Sequence, residues 1–348
     1  MQDVIEQFRE RVLHGRPLRI RGGGTKDFYG QPPAGEVLDT RAYSGIIDYE
    51  PTELVITARS GTPLAQIEAV LAERGQMLAF EPPHFGGGAT LGGAIASGLS
   101  GPRRASSGAV RDFVLGVVMM DAKGEVLRFG GQVMKNVAGY DVTRLMAGSL
   151  GTLGLMLEHS VKVLPRPVAE TTLRFELSEG DALRTLNLWA GKPLPVSATC
   201  WHDGVLSVRL SGAHAAVEAA LRTLGGERVD DAGGFWAGLR EQRHAFFEGE
   251  QALWRLSLPS TAAPLDLRGP QLIEWGGAQR WLRADANEAI AHGVRRAAAI
   301  AGGHATLFRA GDKSAGVFHP LPPALARINQ RMKDAFDPSN MFNPGRMF

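Results

Sequence analysis

Residues 20–30 read IRGGGTKDFYG. A short apolar strand runs here into three consecutive glycines, then Thr25 and Lys26. Few stretches of this length lose more backbone entropy on folding, so the run is worth keeping only where the backbone itself is needed close at hand. Successive amides at Gly22, Gly23, Gly24 and Thr25, with no Cβ in the way, can converge on a phosphate as an anion-binding nest. An isolated GGG more often serves only a tight strand connection.

Two further glycine clusters change the balance. GGGATLGGAIASG (86–98) again offers amides and small residues, and GSLGTLG (148–154) leads into an alternating strand. No G-x-G-x-x-G follows the first strand and no G-x-x-x-x-G-K-[ST] occurs, which excludes the Rossmann fingerprint and the Walker loop. Two glycine loops that each follow a strand can clasp the two phosphates of a dinucleotide from opposite sides. The third cluster lets the chain pass close to an adenine or ribose, or simply packs strands closely.

Around these loops the chain alternates short β-rich runs with helices as far as residue 165. LVITA (54–58) precedes a helix with Leu64, Ile67 and Leu71 on one face, Thr62 as N-cap, Pro63 at the first helical position and Gly75 at its end. The amino terminus, with Val4, Ile5, Phe8 and Val12 in helical spacing, reads as an amphipathic helix rather than a signal peptide. DFVLGVVMMDA and GEVLRFG read as strands joined at Lys123-Gly124. PRPVAE (165–170) reads as a linker. The pattern beyond it is β-α-β-β-α-β, a ferredoxin-like order. A helical FWAGLREQRHAFF, strands around LWRLSLP and QLIEWGG, an alanine-rich helix over 287–301 and a final helix with two turns complete the chain.

Composition narrows the function. The 348 residues are 44% hydrophobic and 21% charged with a net charge of +2, so no global field favours nucleic acid or an anionic membrane. Only seven of the 38 basic residues are lysine, and the arginines are scattered. One cysteine, Cys200, excludes an internal disulfide and any cysteine-ligated iron–sulfur cluster built by this chain alone. The longest strongly apolar run, Val114 to Met120, is too short to span a bilayer. These features lead to the expectation of a cytoplasmic protein with at most peripheral membrane association.

Taken in order, IRGGGTK, PTELVITARSGTPLAQIEAVLAERGQMLAFEPP, ATLGGAIASGLSG, KNVAGYDVTRLMAGSLGTLG and FDPSNMFNPG resemble the FAD-binding fold of the vanillyl-alcohol oxidase and p-cresol methylhydroxylase (PCMH) superfamily. Within it, and with WGGAQRW (275–281), the chain resembles the GlcE-like FAD-binding subunits of glycolate oxidase. The resemblance implies an α+β chain: a PCMH-type FAD-binding domain of two α/β subdomains over 1–165, and a smaller α+β cap or substrate domain over 171–320. A tail, 321–348, would return to the first domain.

By the same resemblance, Arg21, Gly22, Gly23, Gly24, Thr25 and Lys26 wrap the FAD pyrophosphate. Gly88, Ala89, Thr90, Gly92, Gly93, Ser97 and Gly98 form a second wall. Pro82 and Pro83 pass the isoalloxazine, Gly108 lies in a loop between motifs, Gly154 and Leu155 close over adenine or ribose, and Asn343 returns towards the flavin. Several members anchor flavin covalently through a histidine where this chain has Thr25, so non-covalent FAD is expected. His84, between Pro83 and the second loop, lies near the expected flavin. Lys135 and Asn136 face the flavin or pin a loop.

Oxidation of a 2-hydroxy acid needs a base for the hydroxyl proton and a cationic clamp for the carboxylate. Related dehydrogenases carry an H-x-G-D-G-N-x-H-like signature. The comparable GGHATLFRAGDKSAG keeps His304, Arg309 and Asp312 but lacks the paired histidines, and no two-histidine metal spacing occurs elsewhere. His304 as base and Arg309 as clamp stand against a helix-end histidine and a solvated arginine. Trp275 and Trp281, bracketing Arg280, line a site or belong to the core, and His202 reads as an ordinary strand residue. No metal is expected. The resemblance implies a second FAD-binding subunit and an iron–sulfur subunit as partners, with electrons passing to quinone. A free-standing D-lactate or other 2-hydroxy-acid dehydrogenase and a flavin-free structural subunit are the alternatives.

Overall fold

The structure, a computed structural model, describes residues 1–131 and 141–347. The chain forms two compact units. The first comprises Met1–Ser100, Gly108–Pro165 and Pro320–Phe348; the second comprises Gly101–Ser107 and Arg166–His319. Residues 101–107, expected in the first domain, cluster with the second unit because their side chains and carbonyls are bonded there. Trp275 Nε1 donates to the Gly101 carbonyl at 3.1 Å, Ser106 Oγ donates to Ser197 O at 3.0 Å, and Arg103 pairs with Glu170 at 2.7 Å.

In the first unit β1 (Leu18–Arg21) pairs in parallel with β2 (Glu36–Asp39). Five antiparallel strands form the main sheet: β3 (Ile46–Glu50), β4 (Val55–Arg59), β6 (Val114–Met120), β7 (Val126–Gly130) and β8 (Leu155–Lys162), in the order β3-β4-β8-β6-β7. Between them in sequence lies β5 (Gln76–Met77), which pairs with β9 (Leu164–Pro165). β4 and β8 are buried at nearly every position, Thr57, His159 and Ser160 included, because both faces of the sheet are covered.

Ile67 and Leu71 of helix Leu64–Glu73, Leu91 and Ile95 of helix Leu91–Ser97, Phe80 and Val161 form one fully buried cluster. Phe8 and Val12 of the amino-terminal helix join a second with Leu18, Leu38 and Phe342. Thr62 does not cap the helix that follows. Its hydroxyl bridges Gly45 N and O at 2.9 and 3.1 Å, leaving Pro63 as the N-cap.

In the second unit an eight-stranded antiparallel sheet is built from β10 (Ala169–Glu176), β11 (Val196–His202), β12 (Val205–Gly212), β13 (Glu227–Val229), β14 (Leu253–Ser257), β15 (Gln271–Glu274), β16 (Gln279–Arg283) and β17 (His304–Arg309). The order is β13-β10-β12-β11-β15-β16-β14-β17. The first four strands reproduce the ferredoxin-like arrangement expected from β-α-β-β-α-β. Leu206, Val208 and Leu210 pack with helices Glu179–Ala190 and His214–Leu224, and Trp254, Leu256 and Leu307 with helix Glu288–Ile300. The other sheet face carries Cys200, Glu274, Gln279, Arg255 and His304, as their register shows. Among the described residues no helix is long and apolar enough to cross a membrane.

The tail is held by a buried ion pair. Lys333 Nζ, on helix Pro323–Phe336, donates to Asp337 Oδ2 at 2.5 Å, to Thr152 O at 2.7 Å and to Phe342 O at 3.2 Å. Asp337 in turn accepts from Met341 N, Phe342 N and Ser339 Oγ. Removing one partner of such a pair strands the other charge in a dry site. Lys333→Met should therefore lower unfolding stability by about 3–5 kcal/mol, with Lys333→Met/Asp337→Asn recovering part of the loss in urea melts.

Candidate functional site

In the first unit the loop after β1 meets the second glycine cluster backbone to backbone. A Cβ on Gly23 would lie 1.6 Å from the Gly88 carbonyl oxygen, and one on Gly22 would lie 2.4 Å from Thr90 Oγ1. Only glycine permits this approach. The third cluster is stapled to the same helix: Gly148 N donates to Ile95 O at 2.9 Å and Leu150 N to Ala96 O at 2.8 Å. Gly98, with φ +66°, ends the helix where a Cβ would touch Gly148 Cα at 2.8 Å.

These loops frame an open cleft of about 590 Å³ and a second hollow of about 390 Å³, which share Ile20, Gly22, Gly93, Ala96, Leu150 and Asn343. Of the residues singled out from sequence, Arg21, Gly22, Gly23, Gly24, Thr25, Lys26, Thr90, Gly93, Ser97 and Asn343 line the first. Gly92 and Gly154 line the second. The others do not line either hollow. Gly88 and Gly98 act as contact points between loops, and Ala89 and Leu155 are buried in the two clusters around the sheet. Pro82 and Pro83 are buried where the chain enters the second loop. Gly108 forms the turn at which Ala109 N is bonded to Asp112 Oδ2. His84 stands 3.1 Å from Glu68. Lys135 and Asn136 lie outside the described residues.

Electrostatics favours an anion in the first hollow. Arg19, Arg21, Lys26 and Arg346 line it against a single carboxylate, Asp27. Asp27 Oδ2 accepts from Arg19 at 2.6 Å and from Arg21 at 2.7 Å. Arg19 Nε is buried with no hydrogen-bond partner among the described residues. Arg346 donates to the carbonyls of Gln31, Lys26 and Asp27, and burial pushes its pKa down. Asn343, with φ +44°, accepts from Ile20 N at 2.8 Å and donates to Leu150 O at 2.7 Å, so one side chain locks β1 to the third glycine cluster.

Arg19 was missed, although its alternation with Arg21 in L-R-I-R puts both on one face. Arg346 left no such signal, being more than 300 residues away in sequence. Ser60, which lines the second hollow, was also missed. Its Oγ lies 3.0 Å from His159 Nε2, and its carbonyl accepts from Gly92 N at 2.9 Å. His159 is fully buried, and burial drives its pKa down to about 3.

The second unit separates the two expected catalytic residues. His304 lies opposite Ser257 and Arg309 opposite Leu253. Four residues of β14 at ~3.3 Å each set their backbones about 13 Å apart along the strand. Arg309 Nη2 is also bonded to Gln242 Oε1 at 2.8 Å. Arg280 is fully buried, donating to the carbonyls of Ala262 and Ala263. Trp281 packs edge-on against Phe308 at 4.9 Å and Phe247 at 5.6 Å. His202 sits on β11 with its ring 5.5 Å from His244. Among the described residues no three His, Cys, Asp or Glu side chains are grouped to hold a metal ion.

Two tests follow from the first unit. Gly23→Ala forces the loops apart and should cost about 1–3 kcal/mol in thermal unfolding. Gly87→Ala, with open space around it, should stay within about 0.5 kcal/mol of the parent. For His159, the unfolded chain takes up a proton near pH 6.5 that the folded protein refuses down to about pH 3. Stability should therefore fall by about 1.4 kcal/mol per pH unit as pH drops through that window, and His159→Gln should flatten the urea-midpoint profile there.

Comparison with known proteins gives the family. A family model described as FAD binding domain matches residues 1–130. The chain is 52% identical over 347 residues to the glycolate oxidase subunit GlcE of Escherichia coli (strain K12), covering 100% of this chain and 97% of that one. It is 33% identical over 189 residues to the glycolate oxidase subunit GlcD of Bacillus subtilis (strain 168), covering 53% of this chain and 40% of that one. A D-lactate dehydrogenase of Archaeoglobus fulgidus is 32% identical over 186 residues, covering 52% and 41% respectively. An alkyldihydroxyacetonephosphate synthase structure superimposes with a TM-score of 0.68 over 99% of this chain and 74% of its own, at 13% identity, which speaks for the fold alone. The chain belongs to the GlcE family of glycolate oxidase subunits, FAD-dependent oxidoreductases with a PCMH-type FAD-binding fold.

Proposed function

We propose that this chain is the FAD-binding subunit of a complex that oxidises glycolate, or a closely related 2-hydroxy acid, to the 2-oxo acid. The observation that carries the reading is the glycine-walled, cation-ringed hollow of the first unit. Its fit to FAD can be judged from the residues present. Gly22–Gly24 line the hollow, and the close approach of Gly22 and Gly23 to Thr90 and Gly88 leaves no room for a Cβ at either. Three more cations than anions line it, and the unpartnered Arg19 Nε is a donor in want of an acceptor.

In this reading the amides of residues 22–26 hold the pyrophosphate, and Arg19, Arg21, Lys26 and Arg346 balance its charge. The hollow lined by Ser60, Gly92, Gly154 and Met156 takes the nucleoside end. FAD, when bound, supplies a two-electron oxidant for the substrate carbon. Partial burial, Arg255 and His319 together push the His304 pKa below its ordinary value. A neutral imidazole with a lone pair is the form that can take the hydroxyl proton as the carbonyl forms.

Cys200 is the single cysteine, so any iron–sulfur cluster must come from elsewhere. We assign that task to a partner subunit, working beside a second FAD-binding subunit, with electrons passed on to quinone at the inner face of the membrane. FAD is held without a covalent bond, since Thr25 offers no flavin-linking nucleophile.

The test is the visible spectrum of the purified, FAD-loaded chain. A yellow protein that releases its flavin into the supernatant on acid precipitation is expected; flavin left on the pellet would overturn non-covalent binding. Bleaching by glycolate under argon is expected, and bleaching by D-lactate alone would move the substrate to the longer acid. No bleaching by either, with flavin bound, would limit this subunit to electron relay.

A further inference from the structure

On the sheet face opposite helices Glu179–Ala190, His214–Leu224 and Glu288–Ile300, Arg255 is held in a way that leaves half of its guanidinium unused. Its Nε donates to Gln279 Oε1 at 2.7 Å. Gln279 is fixed in turn, donating from Nε2 to Glu274 Oε2 at 3.0 Å, where Trp281 Nε1 also donates at 2.7 Å. Glu274 and Gln279 are both buried. The Arg255 guanidinium carbon lies 5.3 Å from the Trp275 ring centroid, and Trp275 is anchored through Nε1 to Gly101 O. One edge and one face of the fork are thus immobilised by packed aromatic and amide groups.

The other edge is open. Nη1 and Nη2 of Arg255 have no protein partner among the described residues, and neither is a buried unpaired atom. Thr306 lies directly across on β17, and His304 is its diagonal neighbour on the same face. Cross-strand diagonal positions are about 7–8 Å apart, within reach of long side chains. The His304 and His319 rings are 6.4 Å apart, and no carboxylate of a described residue pairs with Arg255. A pre-oriented, unneutralised guanidinium beside two imidazoles is a receptor for an anion, and its flat two-donor edge matches a carboxylate.

We propose that Arg255 is the substrate-carboxylate residue of this protein: the carboxylate of a short 2-hydroxy acid binds across Nη1 and Nη2, with its hydroxyl directed to His304. This rests on the 2-hydroxy-acid reading above and places the clamp two positions from His304, in contrast to Arg309.

The experiment uses the FAD-loaded chain titrated calorimetrically with oxalate, a carboxylate that carries no oxidisable hydroxyl. Wild type should bind oxalate, Arg255→Gln should bind about tenfold or more weakly, and Arg309→Gln should match wild type. Arg255→Lys keeps the stem and charge, guarding against a folding defect in Arg255→Gln, but presents a point charge in place of the fork. It should also bind more weakly than wild type, with an unchanged melting temperature. Unaltered affinity in both Arg255 variants, or no oxalate binding by wild type at millimolar concentration, would overturn the proposal. Arg255-dependent oxalate binding in a protein whose flavin glycolate cannot bleach would uphold the carboxylate site and sink the oxidation reading. Glycolate bleaching with an unchanged glycolate KM in Arg255→Gln would uphold the oxidation reading and sink the site.

Discussion

The contact on which the first unit turns is the one between Gly23 and Gly88, where a single methyl group would stand 1.6 Å from a carbonyl oxygen. Two loops far apart in sequence approach until their backbones touch, and Gly22, Gly23, Gly24 and Gly93 line a common hollow. The approach has a cost in conformational entropy, since glycine loses more freedom than any other residue on ordering. It also draws like charges together, because Arg19, Arg21, Lys26 and Arg346 crowd around one aspartate. Both costs are ones that a polyanion placed in this hollow would relieve, as the proposed function requires.

The rim of the hollow is held by distant chain. Asn343 bonds β1 and the third glycine cluster at once, Arg346 caps three carbonyls of the loop after the first cluster, and Lys333 reaches Thr152 while paired with Asp337. Each connection joins elements more than 180 residues apart, so the last turns of the chain keep the first ones in shape. A polar clip of this kind is directional. Apolar packing alone would allow the loops to slide, whereas an amide that must accept from one strand and donate to another fixes their spacing.

The second unit shows how little an arginine's sequence position says about its use. Arg309, Arg280 and Arg255 all lie on neighbouring strands. Arg280 is spent on backbone carbonyls in the interior and Arg309 on Gln242, while Arg255 is braced at one edge and open at the other. The difference is one of register and of what the opposing strand offers.

Much of this could be read without coordinates. The glycine clusters, the alternation of Arg19 with Arg21, the ferredoxin-like order of strands and helices, and the apolar faces of the early helices are all local patterns. Local periodicity and backbone freedom are properties of a few adjacent residues, which is why they survive as sequence signals. What only the tertiary structure decided were the partnerships across long loops: Gly23 against Gly88, Asn343 and Arg346 at the rim, residues 101–107 joining the second unit, and Arg255 of β14 diagonal to His304 of β17. These depend on strand register and on where a side chain finds its hydrogen-bond partner, and neither is encoded at any fixed spacing along the chain.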